Sequence, residues 1–330
     1  MISMYEVNLV GSYYEMGREY GRRLRKADFK TPKYSSAAIE LGKKCRGHVE
    51  TVFPEIMDEI RGIAEAAEID YDALCTFLLT HPQATPKCSI FAVTDGRTTY
   101  IGRNYDMFYS LKDFTESYFT APQQGHRSVG QTDVFVGRED GVNEHGLGVA
   151  MSGITDYFEP GVPFWIAIRY LLDKCKTVQE GVDVLTEIPH HCTISFLLAD
   201  STGEMIVVEV KPGLAVVREP EDNYIVSTNH YNHPDMKGLE IFEPPDSRIR
   251  YSTIVDSLGD ADAGPDEDSI RRILSSHEGL VCSHIEEMKL GTLWSVVANL
   301  NTLQVWRSDG HPCSNPYRED TRLRDAVKGS

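Results

Sequence analysis

Residues 88–106 of the chain read CSIFAVTDGRTTYIGRNYD. Two apolar runs flank Asp95 and the glycine after it, and an Asp-Gly pair in this setting is a strong signal for a two-residue β-hairpin turn. With that turn, Cys88 pairs with Arg103, and directly opposed residues have Cβ atoms ~4.5–5.5 Å apart. A guanidinium this close favours thiolate over thiol, and Asp106 lies just beyond the same strand end. The stretch therefore predicts a hairpin that begins with either a reactive cysteine or a small buried apolar side chain.

The periodicity of the sequence changes at this hairpin. Before residue 85 the chain shows helical patterns at about 14–25, 36–51 and 54–67. After it come short β-branched or aromatic runs bounded by turn residues, namely SIFAV, TTYIG, TDVFVG, GLGVAMS, TISFLLAD, MIVVEVK, YIVST, TLWSVVAN and TLQVW. Helical patterns interrupt these runs at 164–173, 177–188 and 268–276. Many consecutive strands with few helices between them predict a largely antiparallel α+β fold.

The charge balance excludes several classes of protein. The chain has 33 Lys and Arg against 50 Asp and Glu, a formal net charge of −17. Phosphate binding needs clustered basic residues, and the basic run at 18–26 is predicted to be a solvated helix face. No stretch approaches the ~18 apolar residues of a membrane span, and the first residues lack the pattern of a signal peptide. We therefore expect a cytoplasmic protein that binds neither nucleic acid nor membrane.

The cysteine and histidine spacings predict neither a metal nor a cofactor. Seven cysteines with no Cys-x-x-Cys pair indicate reduced thiols rather than a disulfide framework or a zinc finger. The groups HHC at 190–192 and HxxH at 230–233 lack a third ligand at a recognised spacing. The acidic run GDADAGPDEDS at 259–269 does not fit the EF-hand pattern and is predicted to be a solvated loop. The sequence also lacks the glycine motifs of phosphate loops, dinucleotide-binding folds and serine hydrolases.

Five short motifs follow one another along the chain: Cys88-Ser, Gly102-Arg-Asn-Tyr-Asp106, Asn143-Glu-His-Gly-Leu, Val226-Ser-Thr-Asn229-His and Ser247-Arg-Ile-Arg250-Tyr. Their order and approximate spacing resemble those of acyl-CoA:6-aminopenicillanate acyltransferase-like proteins. Conjugated bile-acid hydrolases and penicillin V acylases are more distant relatives with the same core. The patterns GSYYEMG at 11–17 and PEI…EIRGIA at 54–64 are similar to the pro-segment of the acyltransferase branch.

This resemblance implies an N-terminal-nucleophile hydrolase, an α+β protein with a four-layer αββα sandwich of mostly antiparallel sheets. The precursor of such an enzyme cuts itself immediately before its nucleophile. Residues 1–87 would then be a helical pro-segment that becomes a small chain, and residues 88–330 the catalytic chain, the two forming one structural domain. The implied activity is cleavage of a linear, non-peptide amide through a thioester, with no cofactor and no metal. The expected partner is a small acyl amide, with an amine or CoA thiol as acceptor if the acyl group is transferred.

The roles of the site residues follow from the same resemblance. Cys88 would be the nucleophile and, through its freed α-amine of pKa near ~8, also the base that activates its own thiol. Asp106 would hold that amine, and Arg103 would orient and polarise the site. Asn229 would donate its amide N–H to the oxyanion of the tetrahedral intermediate, and Arg250 would support this network.

The sequence departs from the family pattern at two places. Lys87 precedes the nucleophile where the acyltransferase branch typically has glycine, and a side chain restricts the backbone that an N-to-S acyl shift prefers. The bile-acid hydrolases supply a second oxyanion donor from an asparagine, and this chain has Ser152 or Gly153 there. An N–H of the backbone or the serine hydroxyl would have to substitute for it.

Two alternatives to self-processing stay open from the sequence. The first is an unprocessed thiol hydrolase with a histidine base at His145, His230 or His233. The second is a non-enzymatic protein that keeps the fold, for which Lys87 is the best argument. Hydrolysis is favoured over transfer to CoA, because the acidic chain shows no basic cluster for CoA. The residues MFY at 107–109 are either an acyl pocket or core, and both Trp294 and Trp306 are predicted to be core.

Overall fold

The computed structural model describes residues 5–80, 87–259 and 265–329. Within these ranges the strands are β1 Tyr5–Gly11, β2 Lys87–Thr94, β3 Thr99–Phe108, β4 Glu116–Pro122, β5 Ser128–Thr132, β6 Asp140–Asn143, β7 Gly148–Phe158, β8 Cys192–Ala199, β9 Met205–Lys211, β10 Leu214–Arg218, β11 Tyr224–Ser227, β12 His284–Ile285, β13 Leu290–Asn299, β14 Gln304–Asp309 and β15 Arg318–Asp320. The helices are α1 Tyr13–Lys26, α2 Ser36–Val52, α3 Pro54–Ala67, α4 Tyr71–Thr80, α5 Phe164–Lys174, α6 Val178–Glu187, α7 Ser247–Gly259, α8 Glu267–Ser275 and α9 Arg322–Lys328. None of these helices is long and apolar enough to cross a membrane.

The strands form two sheets that are almost entirely antiparallel. One sheet has the order β1-β4-β5-β6-β7-β8-β9-β10, and the other has the order β11-β2-β3-β13-β14-β15, with the short β12 paired to β13. Strand β1 runs parallel to β4, and every other strand pairing among the described residues is antiparallel. The antiparallel α+β fold predicted from the strand pattern is confirmed.

The alternation of side chains along β2 shows how the layers stack. Cys88, Ile90 and Ala92 belong to the main core between the two sheets. Phe91 and Val93 point to the opposite face, where they join a second core with residues of α7 and α8. Helices α5 and α6 pack on the outer face of the first sheet. The order is therefore helix, sheet, sheet, helix, the four-layer αββα sandwich that the resemblance implies.

The segment before Cys88 is not wholly helical, which corrects the prediction for residues 1–85. Strand β1 adds an edge to the first sheet, with Val7 and Leu9 buried and the residues between them exposed. This alternation spans seven residues and was too short to distinguish from the helical pattern that follows it. Helix α4 was also not predicted, whereas α3 has the predicted bounds, with Pro54 in its first turn.

Buried polar contacts join this first segment to the rest of the chain. Glu59 of α3 forms an ion pair with Arg169 of α5 at 3.0 Å, and both side chains are buried. Tyr13 donates to Asp173 at 3.0 Å, and the indole N–H of Trp165 donates to a carbonyl of α4 at 2.8 Å. Residues 5–80 and the strands after Cys88 therefore share one core.

The hairpin of β2 and β3 has a longer loop than predicted. Thr94 pairs with Thr99, so the loop contains four residues rather than two. The carboxylate of Asp95 accepts the N–H groups of Arg97 and Thr98 at 2.8 and 2.7 Å, which closes a wider turn. The register shifts by two positions as a result. The prediction that Cys88 lies directly opposite Arg103 was wrong.

Two further predictions are affected by the structure. The run TDVFVG at 132–137 is not a strand: β5 ends at Thr132, and Phe135 has a φ of 31° in the turn that follows. The acidic run at 259–269 lies partly outside the described residues, and its end caps α8, where Asp266 accepts the N–H of Ser269 at 2.6 Å.

Candidate active site

Cys88 is the second residue of β2, and its side chain is fully buried between the sheets. Its backbone N–H donates to Oδ1 of Asn229 at 3.0 Å, and its carbonyl accepts Nη1 of Arg250 at 2.6 Å. Burial raises the pKa of the thiol to about 11, against the opposing effect of Arg103. In the uncut chain the thiol is therefore protonated, and side chains from later in the sequence hold both polar backbone groups of Cys88.

The guanidinium of Arg103 lies beside this thiol. The shifted register places Cys88 opposite Tyr105, so Arg103 is its diagonal neighbour on the same face of the hairpin. Nη2 of Arg103 is 3.6 Å from Sγ of Cys88, and Nη1 donates to a carboxylate oxygen of Asp140 at 2.9 Å. Burial opposes the charge on the guanidinium, but the thiol, Asp140 and Glu139 together raise the pKa of Arg103 above its ordinary value. The predicted contact therefore exists, although the predicted register was wrong.

Acidic side chains that the sequence analysis did not identify lie behind Arg103. The indole N–H of Trp294 donates to Asp140 at 3.0 Å, and the Tyr105 hydroxyl donates to Asp133 at 3.2 Å. Burial and the neighbouring Asp133 raise the pKa of Glu139 well above its ordinary value. The sequence signal was hidden because residues 132–137 were predicted to form a strand. The turn found there instead directs this segment back toward Arg103.

Asn229 and Arg250 form the opposite wall of the site. Asn229 follows β11, and Arg250 lies in the first turn of α7. Nη2 of Arg250 donates to Oδ1 of Asn229 at 2.7 Å, and Nδ2 of Asn229 donates to the carbonyl of Gly153 at 2.7 Å. These partners fix the orientation of the asparagine amide. The N–H group that the resemblance assigns to the oxyanion is thus bonded to a carbonyl in the uncut chain.

Asp106 lies near the end of β3 and is fully buried. Its Oδ1 accepts the hydroxyl of Thr292 at 2.6 Å. Among the residues that the structure describes, no donor lies within hydrogen-bond distance of its Oδ2. Burial raises the pKa of Asp106 to about 7, although the positive charge of Arg250 acts in the opposite direction. One oxygen of this carboxyl group is therefore available to a further donor.

Lys87 stands directly opposite Asp106 in the hairpin ladder. Its ammonium group forms an ion pair with Asp246 at 2.9 Å, and Asp246 also accepts Nε of Arg250 at 2.9 Å. Although burial favours its neutral form, these two cations hold the pKa of Asp246 below its ordinary value. The sequence analysis did not identify Asp246. It lies four residues before Arg250, where two residues of one helical turn meet.

The places proposed for a second oxyanion donor are occupied by other hydrogen bonds. The Ser152 hydroxyl lies 3.0 Å from the hydroxyl of Ser227, and the carbonyl of Gly153 accepts from Asn229. Among the alternative bases, His230 has its Nδ1 2.7 Å from the hydroxyl of Ser247. Burial lowers the pKa of His230 to about 4, which makes it a weak base at neutral pH.

The aromatic and apolar residues of the hairpin end divide between core and surface. Met107 is buried, whereas Phe108 is 37% exposed and Tyr109 is partly buried. Trp294 and Trp306 both lie in the core, as predicted. Trp294 stacks on Tyr105 with ring centroids 3.8 Å apart. The one residue of 107–109 that is open to solvent is thus Phe108.

Comparison with known proteins gives the fold and the family. Two structures of variants of the conjugated bile acid hydrolase from Clostridium perfringens are 17% and 18% identical to this chain, with TM-scores of 0.50 and 0.52. Each comparison covers 72% of this chain and 94% of the other. A structure of penicillin V acylase from Agrobacterium tumefaciens is 15% identical, covers 72% of this chain and 87% of the other, and has a TM-score of 0.42. No curated protein sequence matches the chain.

The likeness to the bile acid hydrolase structures shows the N-terminal-nucleophile hydrolase fold, in agreement with the layer order described above. A family model for acyl-coenzyme A:6-aminopenicillanic acid acyl-transferase matches residues 93–313, about two thirds of the chain. The chain belongs to this family, and it is therefore an enzyme of the hydrolase or acyltransferase type. The matched region includes Arg103, Asp106, Asn229 and Arg250, and it begins just after Cys88.

Proposed function

We propose that the chain is a self-processing cysteine N-terminal-nucleophile enzyme that cleaves linear C–N amide bonds through a thioester. The observation that carries this proposal is the surroundings of Cys88. Its N–H, carbonyl and thiol contact Asn229, Arg250 and Arg103 respectively. A cysteine that is only a small core residue does not need this set of three polar side chains.

The first reaction would be the cleavage of the Lys87–Cys88 bond. Sγ of Cys88 attacks the carbonyl carbon of Lys87, the C–N bond breaks, and the thiol proton is transferred to the departing amine. The product is a thioester between Lys87 and Sγ, with the α-amine of Cys88 free. Water then opens the thioester and leaves a carboxylate on Lys87 and a thiol on Cys88. Residues 1–87 become a small chain and residues 88–330 the catalytic chain.

The surroundings of Asp106 support this step. Cleavage creates an ammonium group at Cys88, adjacent to the residue that Asp106 faces in the ladder. The uncovered Oδ2 of Asp106 is suited to accept from that group, and an opposite charge nearby would lower the raised pKa of Asp106. The carboxyl group would thus be destabilised in the uncut chain and stabilised in the product.

The second reaction is cleavage of the substrate. The free α-amine takes the thiol proton, Sγ attacks the amide carbonyl, and the leaving amine is protonated by the α-ammonium group. Arg103 stabilises the thiolate, and Asn229 turns its Nδ2 from Gly153 to the oxyanion. Water, an amine or a CoA thiol then takes the acyl group. We favour water, because the net charge of −17 opposes binding of the CoA phosphates.

The small chain would stay bound after cleavage. The ion pair of Glu59 with Arg169 and the contacts of β1 and α4 lie within the shared core. Separation of the chains would expose this core and leave Arg169 with one fewer partner. We therefore expect the mature enzyme to be a complex of two chains.

Replacement of Cys88 tests the proposal. Cys88→Ala should give one intact chain with no amidase activity, and the matched control Cys175→Ala, also at a buried cysteine, should be cleaved normally. Cleavage or activity retained in Cys88→Ala would overturn the proposal. If the wild-type chain also stays intact while Cys88 still reacts rapidly with iodoacetamide, the unprocessed thiol enzyme takes its place.

A further inference from the structure

A cluster of two imidazoles and two thiols lies at the outer end of β12 and β13. His277 follows α8, Cys282 and His284 lie at the start of β12, and Cys313 comes from the loop after β14. One ligand atom from each residue lies within 4.8 Å of the others. Nε2 of His284 is 3.4 Å from Sγ of Cys282 and 3.2 Å from Sγ of Cys313. Three separate segments of the chain thus bring four metal-binding side chains together.

We propose that His277, Cys282, His284 and Cys313 bind one zinc ion. Zinc in structural sites takes four nitrogen or sulfur ligands in a tetrahedron, at about 2.0–2.1 Å for nitrogen and 2.3 Å for sulfur. Those bond lengths separate neighbouring ligand atoms by roughly 3.3–3.8 Å. The two sulfur-to-nitrogen distances in the cluster already lie within about 0.1 Å of that range or inside it.

The donor set favours zinc over other occupants. Thiolate ligands select soft or borderline metals, and two thiolates with two imidazoles form a tetrahedral set typical of zinc. A disulfide between Cys282 and Cys313 would use the sulfurs but not the two histidines, and both thiols are free in this structure. The sequence analysis predicted no zinc site because the spacing His-x4-Cys-x-His does not match a finger motif.

An overlapping group shares one member with this cluster. His284 also lies near Glu286 and His311, and these three offer ligand atoms within 4.8 Å of one another. The ring of His311 stacks on that of His284 with centroids 3.8 Å apart. This group has three ligands and no sulfur, whereas the first closes a four-ligand shell. We therefore assign the ion to the first group, which leaves no open position for substrate.

The zinc site would fix the environment of Asp106. Cys282 and His284 flank Ser283, whose N–H donates to the hydroxyl of Thr292 at 3.1 Å and whose carbonyl accepts the N–H of Thr292 at 3.1 Å. The same hydroxyl donates to Asp106 at 2.6 Å. The four ligands are thus positioning residues, and this one consequence, unlike metal binding itself, rests on the proposed function.

Metal analysis of the full-length Cys88→Ala chain tests the site independently of any catalysis. The chain is purified under reducing conditions from zinc-supplemented cells and dialysed against a mild chelator. We expect one equivalent of zinc per chain. After exchange with cobalt, we expect the visible bands of a tetrahedral ion and a thiolate-to-cobalt charge-transfer band. A reduced chain that retains no zinc and gives no cobalt–thiolate band would overturn the assignment.

Variants locate the ion. Cys313 is exposed, so Cys313→Ser should fold normally and lose the zinc, while Cys175→Ser should keep one equivalent. Equal zinc contents in these two variants would refute the proposed ligand set. So would loss of zinc in His311→Gln together with its retention in Cys313→Ser.

The link to Asp106 needs the cleavable wild-type chain. Removal of zinc should slow cleavage at Cys88 at least several-fold, and added zinc should restore it. An unchanged cleavage rate with a confirmed zinc site would refute the positioning role alone. If the wild-type chain is never cleaved, the proposed function fails while the zinc result stands.

Discussion

Arg250 and Asn229 are joined by a hydrogen bond of 2.7 Å from Nη2 to Oδ1. The same asparagine oxygen accepts the N–H of Cys88, and the same guanidinium holds the carbonyl of Cys88 through Nη1. Nε of Arg250 donates to Asp246. One planar fork thus fixes the nucleophile residue on two sides, which a lysine could not do because its ammonium group is a single point.

Arg250→Lys should therefore slow cleavage between residues 87 and 88. Charged hydrogen bonds contribute about 1.5–3 kcal/mol, so loss of one corresponds to a decrease of roughly tenfold to a hundredfold. The rate is measured from the fraction of intact chain over time. The control Arg248→Lys alters an exposed ion pair on the same helix and should leave the rate unchanged. Equal rates in the two variants would contradict the role of the fork.

Lys87→Gly should cleave faster than wild type. Lys87 is held in the strand by its ion pair with Asp246, and glycine lacks both that contact and the β-carbon that restricts the acyl shift. We expect an increase of roughly tenfold, which equals about 1.4 kcal/mol in activation free energy. Lys87→Met keeps the β-carbon and removes the charge, so it separates the two causes. A glycine variant slower than wild type would contradict this interpretation of the departure from the family pattern.

Asp106 should make the stability of the uncut chain depend on pH. The folded chain keeps the Asp106 proton up to pH about 7, whereas the unfolded chain loses it near pH ~4. Between these values the unfolded state binds fewer protons, so the contribution of Asp106 to the free energy of unfolding falls as pH rises. Below pH ~4 both states carry the proton, and the contribution is then fully present.

The measurement compares urea unfolding of Cys88→Ala with that of Cys88→Ala/Asp106→Asn at pH 5 and pH 8. Other acidic groups cancel in the difference between the two chains. The asparagine variant should gain stability relative to its parent as the pH rises. A difference that stays constant, or that changes in the other direction, would show that Asp106 is ionised in the uncut chain.

Glu59→Leu should destabilise the chain strongly. Removal of one partner from a buried ion pair costs about 3–5 kcal/mol, because the remaining charge of Arg169 loses its acceptor. Glu19→Leu removes an exposed partner of Arg22 and should change the free energy of unfolding by at most about 1 kcal/mol. Both are measured in the Cys88→Ala background. Similar effects of the two substitutions would argue against a shared core.

The sequence predicted those features that local patterns determine. Strand β9 and helix α3 were predicted with their observed bounds, because alternation and helical spacing are visible within one segment. The loop of the hairpin was wrong, because the bonds from Asp95 to Arg97 and Thr98 choose a wider turn than the Asp-Gly pair suggests. Contacts between distant segments were not visible at all. Lys87 with Asp246, and Cys282 with Cys313, are brought together only by the folded chain.

The most direct test of the central claim is the intact mass of the purified wild-type protein under denaturing conditions, combined with N-terminal sequencing. We predict two chains, the larger beginning at Cys88, whose masses add up to that of the uncut chain plus one water. The same preparation of Cys88→Ala should give one chain. A single uncut wild-type chain that nevertheless cleaves amides, or cleavage at another bond, would contradict the account.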